Sequence, residues 1–408
     1  MTSPATVPFL PYGRQCIEED DIAAVAAAMR GEYLTTGPAV AAFEGALAAR
    51  VGAAEAVVCA NGTAALHLAM LGLDLTPGEV CIVPAITFVA TANAVRYCGG
   101  EVLFADVDAD TGLLTETALA EALRRAGDRA VRAVLPVHLA GQTCEMPALA
   151  ALARRHGLAI VEDAAHAIGS HYTHGNESMP VGACRHADMA TFSFHPVKTV
   201  TMGEGGAITT NDIARAQRLR RLCSHGLERQ AERFVDAALS LDNDGAAHPW
   251  AYELAEPGFN YRATDLQCAL GLSQLAKLER FATIRRDLVA RYDRALVALA
   301  PHVRPLARQP GGDPVWHLYV VLIDFAALGL QRGRLMAELR RQGVGSQVHY
   351  IPVNRQPYYR QRYGEQTLPG AERYYRRCLS LPLHAGMTPA DVDRVVAALR
   401  LALGLGKA

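Results

Sequence analysis

Lysine is the scarce residue of this chain. Of its 40 basic residues only Lys198, Lys277 and Lys407 are lysines, and the rest are arginines. A sequence that writes arginine for nearly every positive charge has no need of lysine as a surface cation, so each lysine asks for its own reason. Charge excess is missing too. The net charge is -1 and the pI about 6.9, which removes any bulk electrostatic case for nucleic acid or an anionic membrane as partner. The nine cysteines include no Cys-x-x-Cys pair, and several sit in apolar runs. That disfavours a disulfide framework or a metal cage and fits reduced thiols in a cytoplasmic protein, with no metal site expected. No basic segment followed by an apolar core opens the chain, so no signal peptide is expected. No apolar run reaches the ~20 residues that a membrane-spanning helix needs. Repeats and low-complexity segments are absent. No Gly-x-Gly-x-x-Gly follows the first expected strand, which speaks against an NAD-type binding module.

What is present is an alternation of strands and helices. Helices are expected over Glu18–Arg30 and Ala39–Arg50, with a turn at Tyr33–Pro38 between them. Short apolar strands follow at Val57–Cys59, Val80–Val83, Glu101–Ala105, Ala133–Val137 and Ala159–Glu162. Helices at Ala64–Leu71, Val89–Tyr97 and Met146–His156 lie between them. Continuous apolar strands separated by helices imply an α/β fold with a mainly parallel sheet covered on both faces. Such sheets bind ligands at the carboxyl ends of their strands. Residues 229–252 are polar and irregular and read as a surface loop. Thr264-Asp265 then caps one long helical segment reaching about Leu299. A strand at Trp316–Ile323, a helix at Gly333–Gln342 and a strand at Val344–Tyr350 come next. The last helix starts at Pro389 with the stripe Val392, Val395, Val396 and Leu399. The expected organisation is a large ligand-binding domain over 1–252 and a smaller α+β domain over 253–408.

Lys407 lies in the terminal tail and Lys277 on the polar side of a helical pattern. Lys198 alone stands among strand and turn residues, between the apolar run Thr191–Phe194 and the turn Gly203-Glu204-Gly205-Gly206. A desolvated lysine amine loses its proton and can form a Schiff base, which arginine cannot. Lys198 is therefore expected to hold a carbonyl cofactor.

The junction Asn61-Gly62-Thr63-Ala64 joins a strand to a helix, where backbone amides and a hydroxyl suit a phosphate. For that segment alone, a plain cap through Thr63 is the simpler reading. Asp163 ends a strand, and its carboxylate either caps the next helix or pairs with a protonated pyridinium nitrogen. His166 can bond a ring hydroxyl or be an ordinary part-buried histidine. Phe88 either stacks on a ring or belongs to the core. Ser193, five residues before Lys198, can reach the same phosphate. Taken together these residues describe a site for pyridoxal 5'-phosphate, with Lys198 and Asp163 as its catalytic pair.

The same segments resemble the sugar-nucleotide aminotransferases of fold type I, the DegT group. The resemblance covers nearly the whole chain and runs through Tyr33–Pro38, Asn61–Leu66, Glu162–His166, the Lys198 segment, Gly258–Gln267 and Val348–Pro352. It implies a PLP-dependent transferase fold of type I and a homodimer with shared active sites. It implies L-glutamate as amino donor and a UDP-linked 4-keto-6-deoxy N-acetyl sugar as acceptor, with dTDP- or GDP-linked sugars as the rival acceptors. By the same resemblance Asn260 reaches the phosphate bound by the neighbouring subunit, and His349 and Tyr350 lie near the sugar nucleotide. Asn354, where relatives often carry histidine, and the long 229–252 loop depart from the pattern at places where substrate contacts are expected. A non-catalytic cofactor-binding regulator would instead show a broken site or an appended DNA-binding domain, and the sequence has neither.

Overall fold

Seven strands form the central sheet of the computed structural model, which describes residues 8–405 and so leaves Lys407 outside. They are β1 (Glu55–Cys59), β2 (Val80–Pro84), β3 (Glu101–Ala105), β4 (Val131–Val134), β5 (Ala159–Asp163), β6 (Met189–Ser193) and β7 (Gly206–Thr210), in the order β1-β7-β6-β5-β4-β2-β3. From β6 to β3 every neighbouring pair is parallel, while β7 runs antiparallel to both β1 and β6. Every residue of β2 and β7 is buried. Successive side chains point to opposite faces, so burial of all of them means both faces are covered. The core around the sheet includes Phe43, Phe104, Phe192 and Phe194, none more than 1% exposed.

A second sheet is antiparallel, with Tyr319–Ile323 between Val303–Pro305 and Cys378–Leu381. Helices Leu278–Leu296, Arg332–Arg341 and Pro389–Ala402 bring Leu288, Tyr292, Leu335, Val392 and Val395 to a separate core around it. Leu10, from the start of the described chain, joins that core.

Three expected elements come out differently. The helical segment from Thr264 breaks at Lys277 into Asp265–Ala276 and Leu278–Leu296. Thr264 does cap it, in a capping box with Gln267. Asp265 turns away and accepts the amides of Gly37 (2.7 Å) and Ala39 (3.0 Å), so it serves the start of helix Pro38–Val51 instead. The strand expected over Val344–Tyr350 does not form. Val344 bridges Leu10 and Gln347 bridges Ser380, two different segments, and no single edge runs alongside long enough for a ladder. Residues 229–252 are closed at their base by the pairing of Leu227–Glu228 with Glu253–Leu254, and they contain the helical turns Ala231–Arg233 and Ala237–Ser240. In the first helix, Glu19–Arg30, the apolar Ile22 and Met29 stay exposed and Asp21 is the buried side chain. Among the described residues no helix is long and apolar enough to cross a membrane.

Candidate active site

The carboxyl ends of β1, β2, β5 and β6 open on a cavity of about 900 Å³. At the end of β1 the chain enters helix Gly62–Gly72. Its cap is Asn61, not Thr63: the Asn61 side chain accepts the Ala64 amide at 2.9 Å. The Ala64 amide is therefore taken, although Ala64 lines the cavity. The amides of Gly62 and Thr63, and the hydroxyls of Thr63 and Ser193, make no hydrogen bond among the described residues. They are open donors at a helix N-terminus. Close approach here depends on two glycines. A Cβ on Gly62 would stand 2.8 Å from the Ser193 Cβ, and one on Gly206 would stand 2.3 Å from the Asn61 carbonyl oxygen.

Asp163 closes β5 and is buried. No helix follows it, only turns, so the capping alternative falls. Its Oδ2 accepts the Thr91 hydroxyl at 2.7 Å, and Thr91 in turn accepts the Thr87 hydroxyl at 2.7 Å. Its Oδ1 accepts the Ala165 amide at 3.2 Å. Behind it, His138 donates from Nε2 to Glu162 at 2.9 Å, because its Nδ1 is occupied by the Cys144 amide at 3.1 Å. The His138 amide also donates to the Asp163 carbonyl, which fixes the end of the strand. Thr87, Thr91 and the His138–Glu162 pair escaped the reading of the sequence. The Thr87/Thr91 spacing of one helical turn was the available signal.

Lys198 follows β6. Its side chain keeps a face open to the cavity, yet its amine is enclosed by protein atoms and makes no hydrogen bond or ion pair among the described residues. Burial pulls the amine down to about 8, and the Asp163 charge offsets part of that fall. His166 Nδ1 accepts the Ala140 amide at 3.3 Å, which leaves the ring proton on Nε2, 3.1 Å from the Tyr350 hydroxyl. Burial, then the charge of Lys198, holds His166 well below the usual histidine range, so the ring is neutral. His349 bonds Ser380 at 2.7 Å, and burial with the Lys198 charge lowers it to about 3. Phe88 is 56% exposed, with its ring 6.1 Å from that of Tyr350, so it belongs to the cavity rim and not to the core.

Two positions lie elsewhere. Asn260 is exposed, pairs its backbone with Ser224 and does not line this chain's own cavity. Asn354 is buried, donates to the Gln366 carbonyl at 3.2 Å and also stays outside the lining. Conversely, Tyr12, His317 and Gln347 line the cavity without having been singled out.

The chain matches the DegT/DnrJ/EryC1/StrS aminotransferase family over residues 15–400. It is similar to PseC of Helicobacter pylori, an aminotransferase involved in the biosynthesis of pseudoaminic acid. That match has a TM-score of 0.86 and 28% identity, and covers 98% of this chain and 100% of the other. The putative sugar aminotransferase Spr1654 of Streptococcus pneumoniae, solved in its PLP form, superposes with a TM-score of 0.85 at 27% identity, over 97% of this chain and 99% of that one. DesV of S. venezuelae, in complex with a ketimine intermediate, matches at 31% identity and a TM-score of 0.82, over 97% and 99%.

Pyridoxal phosphate fits what the cavity offers. There is an enclosed amine of lowered basicity, a carboxylate anchored by a hydroxyl and an amide, and a cluster of unspent donors beside two glycines that leave room for a phosphate.

Proposed function

The chain belongs to the DegT/DnrJ/EryC1/StrS aminotransferase family, and we propose that within it this enzyme moves an amino group from L-glutamate to the 4-keto carbon of a UDP-linked 4-keto-6-deoxy N-acetyl sugar. The setting would be the making of a bacterial surface sugar of the pseudaminic acid type. The observation that carries the chemistry is the unpartnered Lys198 amine sharing one cavity with the anchored Asp163 carboxylate. The finer choice of acceptor is supported by the runs Ser193–Lys198 and Gly203–Gly206, which are most like those of the UDP-4-amino-4,6-dideoxy-N-acetyl-β-L-altrosamine transaminase of that pathway.

Bound pyridoxal phosphate supplies the electron sink that lets a proton leave the donor's α-carbon. Lys198 is the group that takes and returns that proton, since an amine near pKa 8 both holds and releases one close to neutrality. Asp163 holds positive charge at the pyridinium nitrogen, and Thr91 orients its carboxylate. The amides of Gly62 and Thr63, with the Thr63 and Ser193 hydroxyls, hold the phosphate, while Ala64 contributes only wall. His166, its Nε2 proton shared with the Tyr350 hydroxyl, is the group proposed for the ring hydroxyl. Phe88 covers the ring, and His349 and Tyr350 face the sugar nucleotide.

The decisive experiment converts the enzyme to its pyridoxamine form and offers UDP-, dTDP- and GDP-linked 4-keto-6-deoxy sugars. Fastest return of the visible absorbance is expected with the UDP-linked N-acetyl sugar. A faster return with another nucleotide would overturn the substrate and leave the chemistry standing.

The working unit in this reading is a cytoplasmic homodimer in which Asn260 serves the partner's phosphate, in keeping with its exposed position outside its own cavity. Mixed dimers of Lys198→Ala and Asn260→Ala should then regain activity, because one site draws both intact residues from different chains. Confirmed heterodimers with no recovery would remove Asn260 from the site.

A further inference from the structure

One wall of the cavity presents an unpartnered imidazole with an uncompensated cation behind it. His317 lines the cavity at 3% exposure, yet its ring makes no hydrogen bond within the described chain, and its Nδ1 is a buried nitrogen without a partner. The ring lies 4.4 Å from that of His166, one turn past Asp163. Directly behind it is Arg285, among the largest fully buried side chains, at 2% exposure. One guanidinium nitrogen donates to the carbonyls of Trp316 (3.2 Å), His317 (3.2 Å) and Leu383 (3.1 Å), and Nε has no partner. No carboxylate pairs with Arg285 among the described residues, and the buried His384 nearby leaves both ring nitrogens unpartnered. A buried cation without a counter-charge is costly, and a fold that keeps one beside a cavity has built an attraction for an anion there.

We propose that His317, backed by the Arg285 guanidinium, is the subsite for the α-carboxylate of the amino donor. This rests on the reading of an α-amino acid as donor. The reacting nitrogen and the carboxylate of an amino acid are attached to the same carbon, so the carboxylate must lie beside the Lys198 centre. A sugar diphosphate hangs from C1, across the hexose ring from the 4-keto carbon, and cannot occupy this deep position while C4 reacts. Burial, with the charges of Lys198 and Arg285, keeps the His317 ring neutral. A neutral imidazole offers one N–H, enough for one carboxylate oxygen. Arg285 is a positioning residue: it holds the His317 main chain and lends its field without touching the donor.

The matched pair of L-glutamate and 4-aminobutyrate tests this, because the second lacks only the α-carboxylate. Conversion of the holoenzyme to its pyridoxamine form is followed in the visible spectrum at rising donor concentration. His317→Phe should raise the glutamate concentration for half-maximal rate by about ten- to a hundredfold, the scale of one hydrogen bond to a charged group. The preference for glutamate over 4-aminobutyrate should collapse accordingly. His317→Gln, which restores an N–H, should recover most of it. Arg285→Lys should keep the preference and Arg285→Met reduce it, whereas a merely structural arginine would lower both donors and cofactor retention together. An equal loss with both donors in His317→Phe, or none with glutamate, overturns the proposal. Should the wild type reject glutamate but accept another amino acid, the donor reading fails alone, and that amino acid with its decarboxylated amine decides the subsite.

Discussion

Two lysines are described in this fold, and their surroundings are opposites. Lys277 sits at the break between two helices, 2.8 Å from Asp21, 2.5 Å from Asp20 and 3.2 Å from Glu18. Burial works against its charge, but the hydrogen bonds accepted by Asp20, Asp21 and Glu18 outweigh it and hold the amine above the free-lysine value. Lys198 is enclosed with Asp163 as the only opposing charge that moves it, and burial wins. The comparison separates two uses of one residue type. A lysine with carboxylates around it ties segments together, while a lysine stripped of water and left unpaired is made reactive. An ammonium lies within 3.2 Å of each member of the acidic trio Glu18, Asp20 and Asp21.

The largest test removes the reactive member of the pair. The purified enzyme should be yellow, and borohydride should fix the cofactor covalently to Lys198. Lys198→Ala should still bind cofactor but lose transamination by several orders of magnitude, because the covalent link and the proton carrier go together. Lys198→Arg should fail equally, since guanidinium keeps its proton. Near-normal turnover in either variant would erase the contrast between the lysines.

Asp163→Asn probes the one charge set against Lys198. It keeps the shape and the Thr91 contact while removing the anion. The glutamate half-reaction should slow about a hundredfold with cofactor still bound, the scale of losing a strong electrostatic partner. A wild-type rate would leave Asp163 as scaffolding for the end of β5.

The cavity was legible where its residues stand at ends of strands. Asn61–Ala64 follow β1, Phe88 follows β2, Asp163 ends β5 and Ser193 ends β6. Apolar runs and the turns after them are local signals, and the parallel sheet does the rest by gathering those ends. Tyr12, His317 and Gln347 reach the cavity through packing of distant segments, and no local pattern announces them. Arg285 could have been found: it falls on the stripe Phe281, Ala282, Leu288, Val289 and Tyr292, where a charge is out of place. Lys277, expected on the polar side of a helical pattern, is buried instead, because neither glycine nor proline marks the break that turns it inward. Strand Val344–Tyr350 failed for a related reason. Pattern shows which residues are apolar, not whether one edge is there to receive them.

Lys277→Met should show the reverse of Lys198→Ala. Asp20 and Asp21 lose their cation while Glu18 keeps Arg280, and Asp21, which is fully buried, has no water to turn to. A loss of about 2 kcal/mol is expected, below the usual range for a buried pair because Asp20 stays largely exposed. The midpoint in urea should fall while the cofactor absorbance and the glutamate half-reaction hold. Loss of cofactor chemistry at unchanged stability would mean the two lysine sites are coupled.

The pH dependence of stability is the most direct measure of how dry the Lys198 site is. In the cofactor-free protein its folded pKa is about 8 against an ordinary 10.5. Below pH 8 the amine is charged in both states, and the folded state carries the full cost of burying that charge. Between 8 and 10.5 the unfolded chain binds more protons, so this contribution to stability rises with pH, and above 10.5 the cost is gone. Lys277 runs the other way. Its pKa is raised, so its stabilisation is present below 10.5 and fades above it. Comparing wild type with Lys198→Met at each pH cancels the Lys277 contribution, because both proteins keep it. The methionine variant should be the more stable at neutral pH, and the gap should close as the pH climbs through the window set by the two pKa values. Urea midpoints across that window read the difference. A gap that stays constant would mean the Lys198 amine keeps its water in the empty enzyme, and its reactivity would then have to come from the cofactor alone.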